Sequence, residues 1–195
     1  YFIVKGATKV LIPQVRPAHN MVQIYAGKNL SSTDKPKFTL YAETRSGSSN
    51  SHTRTTQVGI TAKGGFIDVV VPYIDMAAIP IGIMFRALGV KNEQEMVNYI
   101  FPPEWFISPP SPLHKKMIMI LVRSLERSYE CDSQEVALNF IGRRGKRFNT
   151  VTDPDVEDEK TAAVSQDSIS YARYLLSTEF LSHIGIGEEL FKSKC

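Results

Sequence analysis

Apolar and polar positions along the 195 residues change period near residue 72. Before that point, short apolar runs alternate with polar residues and glycine. The runs 1–4 and 9–12 flank Gly6 and predict a tight hairpin; 21–25 follows; and 38–42 alternates Phe38, Leu40 and Ala42 against Thr39 and Tyr41. Two further strands, 57–62 and 66–71, join through Lys63-Gly64-Gly65, whose glycines supply the positive φ of a close turn. Strands joined in this way pair antiparallel. Between Arg45 and Thr56, the stretch Ser46-Gly47-Ser48-Ser49-Asn50-Ser51 reads as a polar, flexible loop.

After Pro72 the period becomes helical. The segment 79–88 places Ile79, Ile83 and Leu88 together with Met84 and Phe85 on the flank, Pro80 in its first turn and Gly89 at its stop. Asn92 is positioned to cap a helix over 93–100 that carries Met96, Val97 and Ile100 on one side. A proline-rich connector to Pro112 holds Trp105, Phe106 and Ile107 as apolar anchors, and a long helix over 114–129 follows, with Met117, Ile118, Leu121, Val122 and Leu125 inward. Asp132 with Glu135 three residues later forms a capping box ahead of Val136, Leu138, Phe140 and Ile141, in a helix ending at Gly142 or Gly145. Asp167 or Ser168 would cap a last helix to His183, with Ile169, Ala172, Leu176 and Phe180 inward and Gly185 terminating it. Antiparallel strands in the N-terminal part followed by a helix-rich C-terminal part predict the α+β class.

Composition adds limits. No apolar run reaches the roughly 18 to 20 residues a bilayer span needs, since 80–88 is short and contains Arg86, so a soluble protein is expected. Charge is uneven beneath a formal net of +3: residues 1–90 hold 10 Lys+Arg against 4 Asp+Glu, and residues 91–195 hold 13 against 16. The strand half therefore reads as a basic surface. In the helical half a cluster of Arg143, Arg144, Lys146 and Arg147 precedes an acidic run of Asp153, Asp155, Glu157, Asp158 and Glu159. The cluster either holds phosphates, with salt-dependent binding, or is a solvated helix end where cations complement the dipole. Arg144 has a further alternative, packing on the fold beside an acidic side chain. The acidic run, interrupted by Pro154, lacks a Ca²⁺-loop pattern and reads as a surface loop.

Chemistry-bearing motifs are sparse. Cys131 and Cys195 have no second ligand at metal spacing, and His19, His52, His114 and His183 are scattered, so neither a structural zinc site nor another metal site is expected. Two unpaired thiols point to a reducing compartment. The glycine-rich dinucleotide and phosphate loops and the Gly-x-Ser-x-Gly elbow are missing. Glu93 and Glu95 are a helix first-turn pair that the dipole accounts for.

Three blocks, Tyr1-Phe2-Ile3-Val4-Lys5-Gly6 with Lys9-Val10-Leu11-Ile12, Pro80-Ile81-Gly82-Ile83-Met84-Phe85-Arg86-Ala87-Leu88-Gly89, and Ala137-Leu138-Asn139-Phe140-Ile141-Gly142-Arg143-Arg144-Gly145, stand in an order and at a spacing that resemble the second-largest subunit of multisubunit RNA polymerases, most closely the RNA polymerase II type. The stretch from Tyr171-Ala172-Arg173-Tyr174-Leu175-Leu176 to Phe180-Leu181-Ser182-His183-Ile184 is similar to the same family's following segment. Together the blocks cover the chain from end to end. Residues 26–56, the connector 102–112 and the acidic run depart from the nuclear enzymes' pattern.

The resemblance implies a piece of a larger polypeptide, in keeping with an apolar start at Tyr1 and an amphipathic end at Cys195. Residues 1–18 would end the first protrusion stretch and 19–195 would form the lobe, a non-catalytic wall of the DNA cleft. It implies other polymerase subunits as partners, among them a small zinc-binding subunit, together with DNA and general transcription factors such as factor IIF. The nucleus is the implied location, or a viral factory or virion for a virus-encoded chain. No catalytic residue and no cofactor falls in this piece; the Mg²⁺ of the full enzyme is bound elsewhere. Arg143, Arg144, Lys146 and Arg147 are the nucleic-acid-facing candidates, with Arg45 and Arg54 beside the loop as weaker ones. Two other readings remain: a free-standing interaction module using a basic sheet face, and a small hydrolase with a Cys–His or Ser–His site assembled in space.

Overall fold

The computed structural model describes residues 1–27, 38–47, 52–74, 78–102, 105, 111–145 and 160–184, the last segment's side chains from residue 167. Strands come first: β1 (Phe2–Val4), β2 (Ala7–Lys9), β3 (Val22–Ala26), β4 (Phe38–Ser46), β5 (Arg54–Thr61), β6 (Ile67–Val70) and β7 (Ile79–Pro80). Helices α1 (Ile81–Ala87), α2 (Glu93–Ile100), α3 (Pro112–Glu126), α4 (Gln134–Gly142) and α5 (Lys160–Thr178) follow, then a 3-10 turn at Ser182–Ile184. The fold is α+β, as the change of period predicts.

β1 and β2 form a small antiparallel hairpin turning at Lys5 and Gly6, both at positive φ. That turn sets Val4 opposite Ala7 and ends pairing at Phe2 and Lys9, so the strand expected over 9–12 lies at 7–9 instead. The other five strands pair antiparallel in chain order, β3-β4-β5-β6-β7. Their register aligns Val22, Thr44 and Thr56, and likewise Ile24, Ala42, Val58, Val69 and Ile79, on one face. Helices cover the β5–β7 end of that face, where Val69 and Ile79 are buried. At the β3 edge the same apolar face is bare, with Val22 67% and Ile24 79% exposed.

β4 and β5 are longer than expected. Arg45 pairs with Thr55 and Ser46 with Arg54, so both arginines sit in strands rather than in a loop. Their polar neighbours hide the strand pattern, because Thr44 and Ser46 are buried polar residues on the inward face. Residues 48–51 lie outside the described residues, as do Phe106, Ile107, the acidic run and Gly185.

Among the helices, α2 has the expected bounds, although Asn92 makes no side-chain cap. Pro80 is the residue before α1 rather than inside it, because Ile79–Pro80 pairs with β6 first. Ser111 caps α3 by accepting the His114 N–H at 3.3 Å, and the helix begins at Pro112, two residues ahead of the expected start. Met117 and Val122, expected inward, are exposed; Leu121 and Leu125 are the buried pair. Ser133 caps α4 through the Val136 N–H, in place of the predicted Asp132, and Val136 is exposed while Ala137 is buried. α5 begins at Lys160, so Ser168 is no cap: it is buried, and its hydroxyl donates to Asn139 Oδ1 at 2.6 Å.

The core joins Val69, Ile79, Met84, Leu88, Met96, Leu121, Leu138, Ile141 and Leu176 across both layers. α4 and α5 meet through glycine. A Cβ on Gly142 would stand 2.0 Å from the Ser168 carbonyl oxygen, and one on Gly145 2.3 Å from Tyr171 Cε1. The block 137–145 is therefore a packing motif: Ala137, Leu138 and Ile141 fill the core, and the glycines admit the facing helix. Gly142→Ala is expected to cost about 3 kcal/mol, the upper part of the overpacking range, because the obstacle is backbone. Urea unfolding checks it; a loss below about 1 kcal/mol would mean that the helices separate freely.

Candidate functional site

The basic cluster begins where α4 ends. Arg143 is the C-cap, its N–H bonded to the Asn139 carbonyl, and its side chain is exposed. Arg144 turns back on its own helix: its guanidinium carbon lies 3.6 Å from the Phe140 ring centroid and Nη1 donates to the Phe140 carbonyl at 3.0 Å. A cation in this position satisfies an end carbonyl, complements the helix dipole and gains a cation–π contact. Lys146 and Arg147 lie outside the described residues. Of the two that are described, Arg143 faces solvent and Arg144 is half-buried against α4.

The two weaker candidates are held by carboxylates. Arg45 Nε donates to Glu43 at 2.8 Å on the outward sheet face, where Gln57 Nε2 also donates to Glu43 at 2.8 Å. The hydrogen bond to Glu43 and then its charge raise the Arg45 pKa above the ordinary guanidinium value. Arg54, mostly buried, donates through Nε to Glu179, just past the end of α5, and through Nη2 at 3.3 Å, with its guanidinium over the Tyr73 ring. Its pKa is raised chiefly by the hydrogen bond to Glu179, against an opposing effect of burial.

The sheet therefore presents no basic face among the described residues. Its outward side carries Gln23, Tyr25, Tyr41, Glu43, Arg45 and Gln57, with the Tyr25 and Tyr41 rings stacked at 5.4 Å. Sequence reasoning missed the Arg54–Glu179 pair, since its members are 125 residues apart and nothing local marks either one. It missed the Ser46–His183 contact too, in which the hydroxyl lies 2.9 Å from Nδ1.

In that Ser–His contact Ser46 is wholly buried, and Glu179, four residues before His183 in sequence, is paired with Arg54. The contact ties the 3-10 turn to β4 beside a cavity of about 340 Å³ lined by Val22, Thr56, Val58, Met84, Phe85 and His183. Cys131 is buried, and burial raises its thiol pKa despite an opposing effect of Arg86. A raised thiol pKa disfavours the thiolate that nucleophilic catalysis needs. Among the described residues no three His, Cys, Asp or Glu side chains meet as a metal site, and no helix is long and apolar enough to cross a membrane.

Arg54→Met leaves Glu179 charged and mostly buried, so it should lose about 2 kcal/mol, and the double change with Glu179→Leu should lose less than the sum of the single ones. Strict additivity in a denaturation cycle would show that the pair is uncoupled. For Cys131, the native thiol holds its proton to higher pH than the unfolded one; its contribution to stability is complete below about pH 8.5 and falls as pH rises, by at most about 1.4 kcal/mol per unit. Cys131→Ala should flatten that alkaline slope, and equal slopes would contradict the burial effect.

The family described as RNA polymerase Rpb2, domain 2, matches residues 20–194. DNA-directed RNA polymerase II subunit 2 of Arabidopsis thaliana is 31% identical over 96% of this chain. Subunit RPB2 of Eremothecium gossypii is 33% identical over 94%, and DNA-directed RNA polymerase III subunit rpc2 of Dictyostelium discoideum 24% identical over 100%. The chain spans 14%, 13% and 10% of those relatives' lengths.

Proposed function

The chain belongs to the RNA polymerase Rpb2 domain 2 family, of the RNA polymerase II type, and from that premise we propose that it acts as the lobe of a second-largest polymerase subunit: a non-catalytic wall of the DNA cleft and a docking surface for other subunits and general transcription factors. The observation that carries this reading is the family match across residues 20–194, joined to identities of 31% and 33% with polymerase II subunits. Nucleotidyl transfer, and the Mg²⁺ it uses, belong in this reading to the rest of the enzyme. The nucleus is the location it implies.

Residues 1–18 are proposed as the end of the preceding protrusion stretch and 19–195 as the lobe. The exposure of every residue from Tyr1 to Val22, including Phe2, Ile3, Leu11 and Ile12, supports a segment that packs on something beyond the lobe. The first tie to the sheet comes at Asn20, whose backbone N–H bonds the Arg45 carbonyl and whose side chain brackets Gly47.

In the proposed wall, the chain's contribution is electrostatic and positional. Rigid packing of α4 on α5 holds the helix end in place, and Arg143, with Lys146 and Arg147 next in sequence, offers charge to backbone phosphates. Arg144 acts through the helix, because its guanidinium is stacked on Phe140. Phosphate contacts of this kind position a duplex without reading its sequence.

The test is a polymerase assembled with Arg143, Lys146 and Arg147 replaced by alanine, leaving Arg144 in place. DNA retention should weaken alike on unrelated sequences, and the slope of log affinity against log salt should shrink by up to about 3, near 0.9 per lost phosphate contact. An unchanged slope would remove the cluster from the DNA-facing wall.

A further inference from the structure

α3 carries six apolar residues in succession, Met117-Ile118-Met119-Ile120-Leu121-Val122, more than one buried face absorbs. Leu121 and Leu125 are buried and Ile118 packs against the core. Helical geometry turns Met119 and Val122 to the other side, where they are 61% and 43% exposed. Lys115, Lys116 and Arg123 stand three or four residues from Met119 and share that side with Glu126, all exposed.

Charge on this ridge is available. Among the described residues, none of the three cations has a carboxylate partner; Arg123 lies 5.7 Å from the Phe66 ring centroid. Arg127, next along the helix, differs, because Asp68 holds its Nη1 at 3.1 Å and Phe66 lies beneath it. The ridge is thus cationic at its flanks and aliphatic along its middle.

We propose that this ridge of α3 docks an acidic, amphipathic segment of a protein partner, carboxylates meeting Lys115, Lys116 and Arg123 and apolar side chains covering Met119 and Val122. Charge complementarity selects an acidic partner and opposes a second copy of this chain, since an antiparallel two-fold contact centred on Met119 would set Lys115 and Lys116 against Arg123. The exposed aliphatic side chains favour a protein over nucleic acid, because a phosphate backbone gains nothing from them. Unbranched methionine also adapts readily to a partner's side chains. The inference stands independently of the cleft-wall reading.

Fluorescence anisotropy of a short labelled peptide with Glu and Asp on one helical face and Leu and Phe on the other, titrated with the 195-residue chain, tests it. Saturable binding is expected. Met119→Ser with Val122→Ser should weaken it about ten-fold, and Lys115→Gln, Lys116→Gln and Arg123→Gln together should weaken it comparably and abolish its salt dependence. Both variants alter exposed side chains, so their urea midpoints should match the parent's. Absence of saturation up to about 1 mM, or parental affinity in both variants, would overturn the proposal. So would a DNA duplex that binds in its place and responds to the charge variant alone, or a dimer in sedimentation that the serine variant dissolves.

Discussion

Arg86 stands inside α1, a helix whose seven residues are all buried. Burying a guanidinium costs several kcal/mol unless its donors are met; the turn between α3 and α4 meets those of Nη1, while Nε has no hydrogen-bond partner among the described residues. Nη1 donates to the carbonyls of Ser128 and Cys131 at 2.5 and 2.6 Å, in the turn between α3 and α4. Glu93, at the start of α2, approaches Nη2 to 3.7 Å, and Asp132, just ahead of α4, approaches Nη1 to 4.0 Å. One cation therefore fixes the meeting of three helices, while α1 itself packs on β6, β7, α3 and α4. Gly82 allows the same approach from the other end of α1, since a Cβ there would meet Ser128 Oγ at 2.5 Å.

That arrangement changes how positive charge is to be counted. The strand half has an excess of cations in sequence, but Arg45, Arg54 and Arg86 are engaged by Glu43, by Glu179 and by the turn carbonyls. Arg127 and Arg144 in the helical half are engaged too, by Asp68 and by Phe140. Exposed charge on Lys115, Lys116 and Arg123 remains on a helix whose apolar run hides its two-sided character. Electrostatic function on this helix follows the cations that no described carboxylate holds, because an ion pair has already lost much of its attraction for another partner.

Legibility in the sequence varied with how local the cause was. The α2 bounds were legible because the acidic first turn and the closing Phe101-Pro102 lie next to the helix they limit. The Gly64-Gly65 turn was legible for the same reason, and both residues have positive φ. The start of α5 was not, since Asp167 and Ser168 resemble a cap and only the contact with Asn139 explains a buried serine there. Nor was the full length of β4, because Thr44 and Ser46 are polar yet inward, and Ser46 meets His183 far along the chain. The block 137–145 could be recognised as a family resemblance, but its glycines owe their place to Ser168 and Tyr171 on the facing helix. Among the candidate cations, the helix-end position of Arg143 and Arg144 was readable from Gly142, whereas the engagement of Arg45 and Arg54 was not.

The sequence alone determined the α+β class, most strands and helices, and the polymerase family, because period, turn residues and motif order are properties of neighbouring positions. Tertiary structure alone decided which half of the sheet's apolar face is covered, which arginines are engaged and where exposed charge meets exposed aliphatic surface. Those outcomes depend on partners such as Arg54 and Glu179, 125 residues apart, and folding brings such residues together in ways that no local pattern records.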